Sequence, residues 1–171
     1  MPSRPERPVL VPALRRSELA HTPDADHRWM ARAIELSRSC PPVANRFNVG
    51  AVVVDAEGHE ISTGYSREGG DPHVHAEESA LAKLAPDDSR LLSATIYSTL
   101  EPCSERASHP VPCARLIVNA RIPRVVIAWR EPSLLVADCQ GVEQMAAAGI
   151  EVVELPDLAA AARAVNAHLD L

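Results

Sequence analysis

The 171-residue sequence predicts a three-layer α/β/α sandwich built around a mixed central sheet of about five strands. Three observations carry this. An unbroken run rich in β-branched residues, Val49 to Asp55, is followed across the turn residues Ala56-Glu57-Gly58 by a second run, Ile61 to Tyr65. Together they read as a hairpin whose first strand is buried on both faces. Beyond the hairpin, strand-like runs alternate with helical patterns, which is how a layered α/β sheet is written in sequence. Hydrophobic residues make up 46% of the chain, enough at this length for one core, so a single domain is expected; no internal repeat is visible.

Taken in order, residues 1–22 hold Pro2, Pro5, Pro8 and Pro12 without apolar periodicity and read as an extended or disordered arm, leaving residues 23–171 as the folded domain. Thr22 suits an N-cap with Pro23 at the first helical position. Met30, Ala33, Ile34 and Ser37 then share one face of a helix that must stop before Pro41-Pro42. After the hairpin, Gly69-Gly70-Asp71-Pro72 is a loop and His75 to Leu84 a short helix. A strand at Ala94 to Thr99, a helix from Cys113 to Ala120, a strand at Arg124 to Trp129, a helix at Val142 to Ala148 and a strand at Ile150 to Val153 follow. Pro156 to Leu169 closes the chain as an Ala-rich amphipathic helix.

Composition narrows the function. A net charge of -6 argues against a duplex nucleic-acid binder, which needs clustered Lys and Arg. Trp29, Phe47, Tyr65, Tyr97 and Trp129 are too scattered to stack along a single strand, although they can line one base pocket. Four cysteines are too few for a disulfide scaffold of this length, so a reducing cytoplasm is expected. Pro8 to Leu14 is short, broken by prolines and has Arg15-Arg16 on the wrong side for a signal peptide. No uncharged apolar run approaches the roughly 18 residues of a membrane span.

The chemistry lies in His75-Ala76-Glu77, then Thr99-Leu100-Glu101-Pro102-Cys103, then Pro112-Cys113. One imidazole and two thiols are the donors of a tetrahedral Zn²⁺ that keeps its fourth position for water, the arrangement of a catalytic rather than a structural site. Such a water needs a base that can later return its proton, and Glu77 is placed for that. Because Glu77 lies two residues beyond His75, both face inward only if His75 stands at the very start of its helix. Glu78 reads as a solvated helix residue, His73 as a histidine at the pocket lip, and Cys40 and Cys139 as small packed hydrophobes.

These motifs resemble the cytidine and deoxycytidylate deaminase-like zinc superfamily, with its H-x-E and P-C-x-x-C signature. Here nine residues, Ser104 to Pro112, separate the cysteines. That wide spacing resembles the deaminase domain of the riboflavin-pathway pyrimidine deaminase, whereas Asp71-Pro72-His73 before the motif looks more like tRNA adenosine and small nucleobase deaminases. The resemblance covers roughly Trp29 to Val153. It implies a zinc-dependent hydrolytic deaminase that converts an exocyclic amine on a pyrimidine-type base, nucleoside or nucleotide to a carbonyl, with release of ammonia and Glu77 as the proton shuttle. Purine or tRNA adenosine deamination, the riboflavin-pathway diaminopyrimidine nucleotide, and a non-catalytic zinc module are the alternatives. A homodimer is the expected assembly.

The resemblance also implies substrate contacts. Asn45 and Asn48, bracketing Phe47 ahead of Val49-Gly50, stand where the superfamily has an asparagine touching sugar or base; backbone near Ala76 and Pro102 would hold the amine. The riboflavin-pathway enzymes carry an Asn-Pro pair where this chain has Arg46, and a basic residue in the cysteine loop that reaches the substrate phosphate. Arg106 could take that part, but Glu105 beside it would repel a phosphate, so an unphosphorylated base or nucleoside is the expected preference.

Overall fold

The computed structural model describes residues 22–132 and 139–169, so the arm expected before Thr22 lies outside the described residues. Thr22 caps the first helix, α1 (Pro23–Ser37), its hydroxyl accepting from the Ala25 backbone N–H at 3.3 Å. β1 (Gly50–Val54) and β2 (Glu60–Tyr65) form the expected antiparallel hairpin. There follow α2 (Ala76–Ala82), β3 (Thr95–Ser98), α3 (Cys113–Asn119), β4 (Arg124–Ile127), α4 (Gly141–Ala147), β5 (Glu151–Glu154) and α5 (Ala159–Ala164). The sheet order is β2-β1-β3-β4-β5, antiparallel from β2 through β3 and parallel from β3 to β5.

The register decides which helix covers which face, because cross-strand partners share a face and consecutive residues alternate. Gly50 and Gly64 fall on opposite faces, since Gly64 pairs with Ala51. A Cβ on Gly50 would lie 2.0 Å from the Ala33 carbonyl oxygen of α1, and one on Gly64 would lie 2.2 Å from that of Ala76 in α2. The two helices therefore sandwich the hairpin, each seated where the strand has no side chain. Ser98 pairs with Ala51 and so faces α2, whereas Tyr97 faces α1.

On the α1 face a buried network ties three elements together. Arg124 of β4 donates through Nη1 and Nη2 to the Asp26 carboxylate, both at 2.8 Å, and the Tyr97 hydroxyl of β3 donates to Asp26 Oδ1 at 2.9 Å. Asp26 is 4% exposed. Removing one member of such a pair strands the other charge, so Asp26→Ala is expected to cost about 3–5 kcal/mol. The measurement is a lower urea midpoint at unchanged slope; an unmoved midpoint would show that the pair contributes nothing.

The single C-terminal helix expected over Pro156 to Leu169 is instead three short pieces: a 3-10 turn at Pro156–Leu158, α5, and a 3-10 turn at Ala167–Leu169. Asn166 breaks it. Its side-chain amide donates to the Ala162 carbonyl at 3.2 Å, the acceptor its own backbone N–H would use in an α-helix, and that N–H turns to Arg163 O at 2.8 Å. No helix among the described residues is long and apolar enough to cross a membrane.

Candidate active site

β1 runs antiparallel to β3, which brings the start of β1 beside the end of β3: Thr99 N–H donates to Gly50 O at 3.1 Å, and Gly50 N–H to Thr99 Oγ1 at 3.2 Å. The segments leaving β3 and β4 open at that same edge, where ligands of parallel sheets bind. A cavity of about 580 Å³ lies there.

His75 is the N-cap of α2, with extended backbone at φ -92 and ψ 160, and Glu77 is the second residue of the helix. The change of backbone at the cap lets both side chains face the cavity, and both line it. Cys103 leaves β3 into the same wall; Cys113 opens α3, completely buried behind it. The His75 Nδ1 atom stands 3.6 Å from Cys103 Sγ and 3.5 Å from Cys113 Sγ, and the Cys113 N–H donates to Cys103 Sγ at 3.3 Å. All three donor atoms lie within 4.8 Å of one another. Tetrahedral bonds of about 2.0 Å to nitrogen and 2.3 Å to sulfur would separate nitrogen from sulfur by about 3.5 Å. Donor type and spacing both fit Zn²⁺. The hydrogen bond from Cys113, followed by that with His75, holds the Cys103 thiol well below its ordinary value against the effect of burial, so a thiolate is ready for a cation.

Glu77 is 3% exposed. Ser98, on the α2 face of β3, reaches two oxygens with its hydroxyl: Glu77 Oε1 at 2.7 Å and Leu100 O at 2.8 Å. A hydroxyl has one hydrogen to give. When it goes to Leu100, the contact with Glu77 persists only if the carboxyl is the donor. Burial likewise pushes the Glu77 carboxyl above its ordinary range, against the pull of Ser98. Glu77 is thus built to hold a proton as well as to release one.

Of the expected substrate contacts, Asn45, Phe47 and Arg106 line the cavity. Phe47 is buried and packs edge-on against Trp129, ring centroids 5.9 Å apart. Ala76 is completely buried and is not part of the cavity wall. Asn48 is also outside the wall, a correction. Its Oδ1 accepts from Arg67, its Nδ2 donates to Val165 O at 3.4 Å, and its backbone N–H donates to Asn166 Oδ1 at 2.7 Å. Its role is to bind the C-terminal turn. The Pro102 carbonyl faces α4 rather than a ligand: a Cβ on Gly141 would lie 1.9 Å from its oxygen.

Arg106 is corrected as well. Its side chain is 3% exposed and donates to Glu78 Oε2 at 3.0 Å and to the His73 carbonyl at 2.5 Å. Glu78 is accordingly no solvated residue: its other oxygen meets His109 Nδ1 at 2.7 Å, pinning the cysteine loop to α2. His73 sits exposed on the cavity rim, as expected. The premise of one basic group near the site fails, because Arg46 and Arg67 line the same cavity.

Sequence reasoning missed three residues. Glu101 accepts from Val142 N–H at 2.9 Å and Glu131 N–H at 3.2 Å, fixing α4 and the segment after β4 to the cysteine strand. Its place inside the TLEPC segment was the available signal. Glu131 lines the cavity, and burial pushes its carboxyl up to about 7, so near neutrality it can donate or accept. Arg67, at φ 64, carries no periodic signal at all.

The sequence profile of the cytidine and deoxycytidylate deaminase zinc-binding region matches residues 23–129. A diaminohydroxyphosphoribosylamino-pyrimidine deaminase of Schizosaccharomyces pombe is 43% identical over 129 residues, 74% of this chain and 31% of its own length. The riboflavin biosynthesis protein RibD of Escherichia coli is 36% identical over 133 residues, 74% of this chain and 33% of its own. This chain thus spans about a third of these relatives. Among solved structures, a diaminohydroxyphosphoribosylaminopyrimidine deaminase/reductase of Thermotoga maritima superposes with TM-score 0.70 at 35% identity, covering 82% of this chain and 38% of that one.

Proposed function

The chain belongs to the cytidine and deoxycytidylate deaminase zinc-binding family, and from that premise we propose that residues 23–171 form a zinc-dependent hydrolytic deaminase for a phosphoribosylated diaminopyrimidine. His75, Cys103 and Cys113 hold the metal in this reading. Bound there, zinc supplies a Lewis acid that brings a water molecule near neutral pKa. Glu77 would take one proton from a water molecule as its oxygen adds to the amine-bearing ring carbon and pass it to the adjacent ring nitrogen; it would then take the second proton from the hydroxyl so formed and give it to the amine, which leaves as ammonia as the carbonyl forms. Glu131, its carboxyl raised by burial, can hydrogen-bond the ring from the cavity wall, and Asn45 and Phe47 border the remaining space.

The observation that carries this reading is the buried Glu77, held by Ser98 beside the three-donor cluster. A zinc site kept for folding alone has no use for it. The choice of substrate draws on the relatives' names and on the arginines of the cavity, and it replaces the expected preference for an unphosphorylated base. The test is ammonia release by the zinc-loaded protein from the diaminohydroxyphosphoribosylaminopyrimidine, from its dephosphorylated form, and from cytidine, deoxycytidylate and adenosine. Turnover of the first well above the others is expected. Turnover confined to cytidine, deoxycytidylate or adenosine would sink the substrate, and none on any of them would favour a binding module.

A further inference from the structure

Arg67 is a buried cation on the cavity wall that takes no part in the proton transfers above. It is 4% exposed. Its Nε and Nη2 donate to the Pro41 carbonyl at 3.1 and 3.0 Å, its Nη1 donates to the Phe47 carbonyl at 3.0 Å, and Nη2 also donates to Asn48 Oδ1. These acceptors are all neutral, and a guanidinium has five N–H groups to place. Ion pairs among the described residues engage Arg32, Arg90, Arg106, Arg124, Arg130 and Lys83, and none reaches Arg67 or Arg46. A buried charge without a counter-ion is costly unless something else supplies one. Burial lowers the Arg67 pKa; the nearby Cys40 thiol works against that, and the Arg46 charge adds to it.

Arg46 lines the same cavity, is exposed, and its guanidinium makes no hydrogen bond among the described residues. Its backbone is fixed, the carbonyl meeting His168 Nε2 at 3.0 Å. Arg106 is the opposite case, already neutralised by Glu78. Glu105, the carboxylate expected to repel an anion, is exposed, where water screens it. The cavity therefore has two arginines whose charge is unspent and a third whose charge is not available.

We propose that Arg46 and Arg67 form an anion subsite that receives the phosphate of the substrate, and that Arg106 is a strut of the cysteine loop. The substrate in this statement rests on the deaminase reading; the binding of a phosphate monoester does not. Calorimetric titration of the zinc-loaded protein with ribose 5-phosphate, which carries the anion without the reacting ring, separates the two. Wild type is expected to bind it with an affinity that falls as salt rises, and to bind ribose far more weakly. Arg46→Glu and Arg67→Gln should each weaken ribose 5-phosphate by about tenfold to a hundredfold, while Arg46→Lys keeps most of the affinity. Absence of binding to wild type, wild-type affinity in Arg46→Glu, or loss found only in Arg106→Ala would overturn the subsite. Intact binding without ammonia release from any substrate would overturn the deaminase reading and leave the subsite standing.

Discussion

Glu77→Gln is expected to fold, to keep its metal and to lose about 10²–10⁴-fold in kcat, the contribution of a positioned acid/base. Glutamine fills the same volume, its carbonyl oxygen can still accept from Ser98, and its amide nitrogen has the cavity that Glu77 lines to face. What it cannot do is take a proton from water and return it to ammonia. The loss should fall on kcat with KM little changed, because Glu77 acts on the reacting atoms. Zinc content and melting midpoint serve as controls. A variant that turns over like wild type would remove Glu77 from the mechanism.

Cys113→Ala is expected to reduce zinc from about one per chain to a small fraction of that. With the thiolate gone, only one imidazole and one thiol remain at a site that needs three donors. The residue is completely buried at the first turn of α3, so the variant also removes the link by which metal steadies that helix against β3. A ligand that binds only the folded state stabilises it by mass action. A chelator should therefore lower the melting midpoint of wild type and leave that of Cys113→Ala unmoved. Full zinc in the variant would refute the ligand assignment.

The cluster of His75, Cys103 and Cys113 beside Glu77 was legible because histidine, cysteine and glutamate at those spacings have few other uses, and because His75 and Cys113 each stand at the start of a helix whose pattern is clear. The hairpin, α1 with its Thr22 cap, and the alternation beyond were legible for the same local reason. What sequence could not show depends on partners far along the chain. Asn48 looked like a substrate contact because nothing nearby reveals that Asn166, 118 residues on, takes its backbone. The same asparagine, through its amide on Ala162, shortened the C-terminal helix. Glu78 and Arg106, 28 residues apart, each looked free until the fold placed them 3.0 Å from one another. Arg67 gave no sign, since a left-handed arginine after a strand follows no pattern.

The pinned cysteine loop also bears on how this motif varies. The entropy of closing a loop grows only with the logarithm of its length, so nine residues instead of two between the cysteines cost about 1 kcal/mol more. The Arg106–Glu78–His109 clamp is of a size to offset that cost. Loop length is then close to neutral for stability, and the metal geometry does not feel it. The added residues are free to become wall: Glu105, Arg106, Ala107 and Ser108 all border the cavity. Insertion between two fixed donors is thus a cheap way for a lineage to redraw its substrate pocket while the catalytic centre stays still.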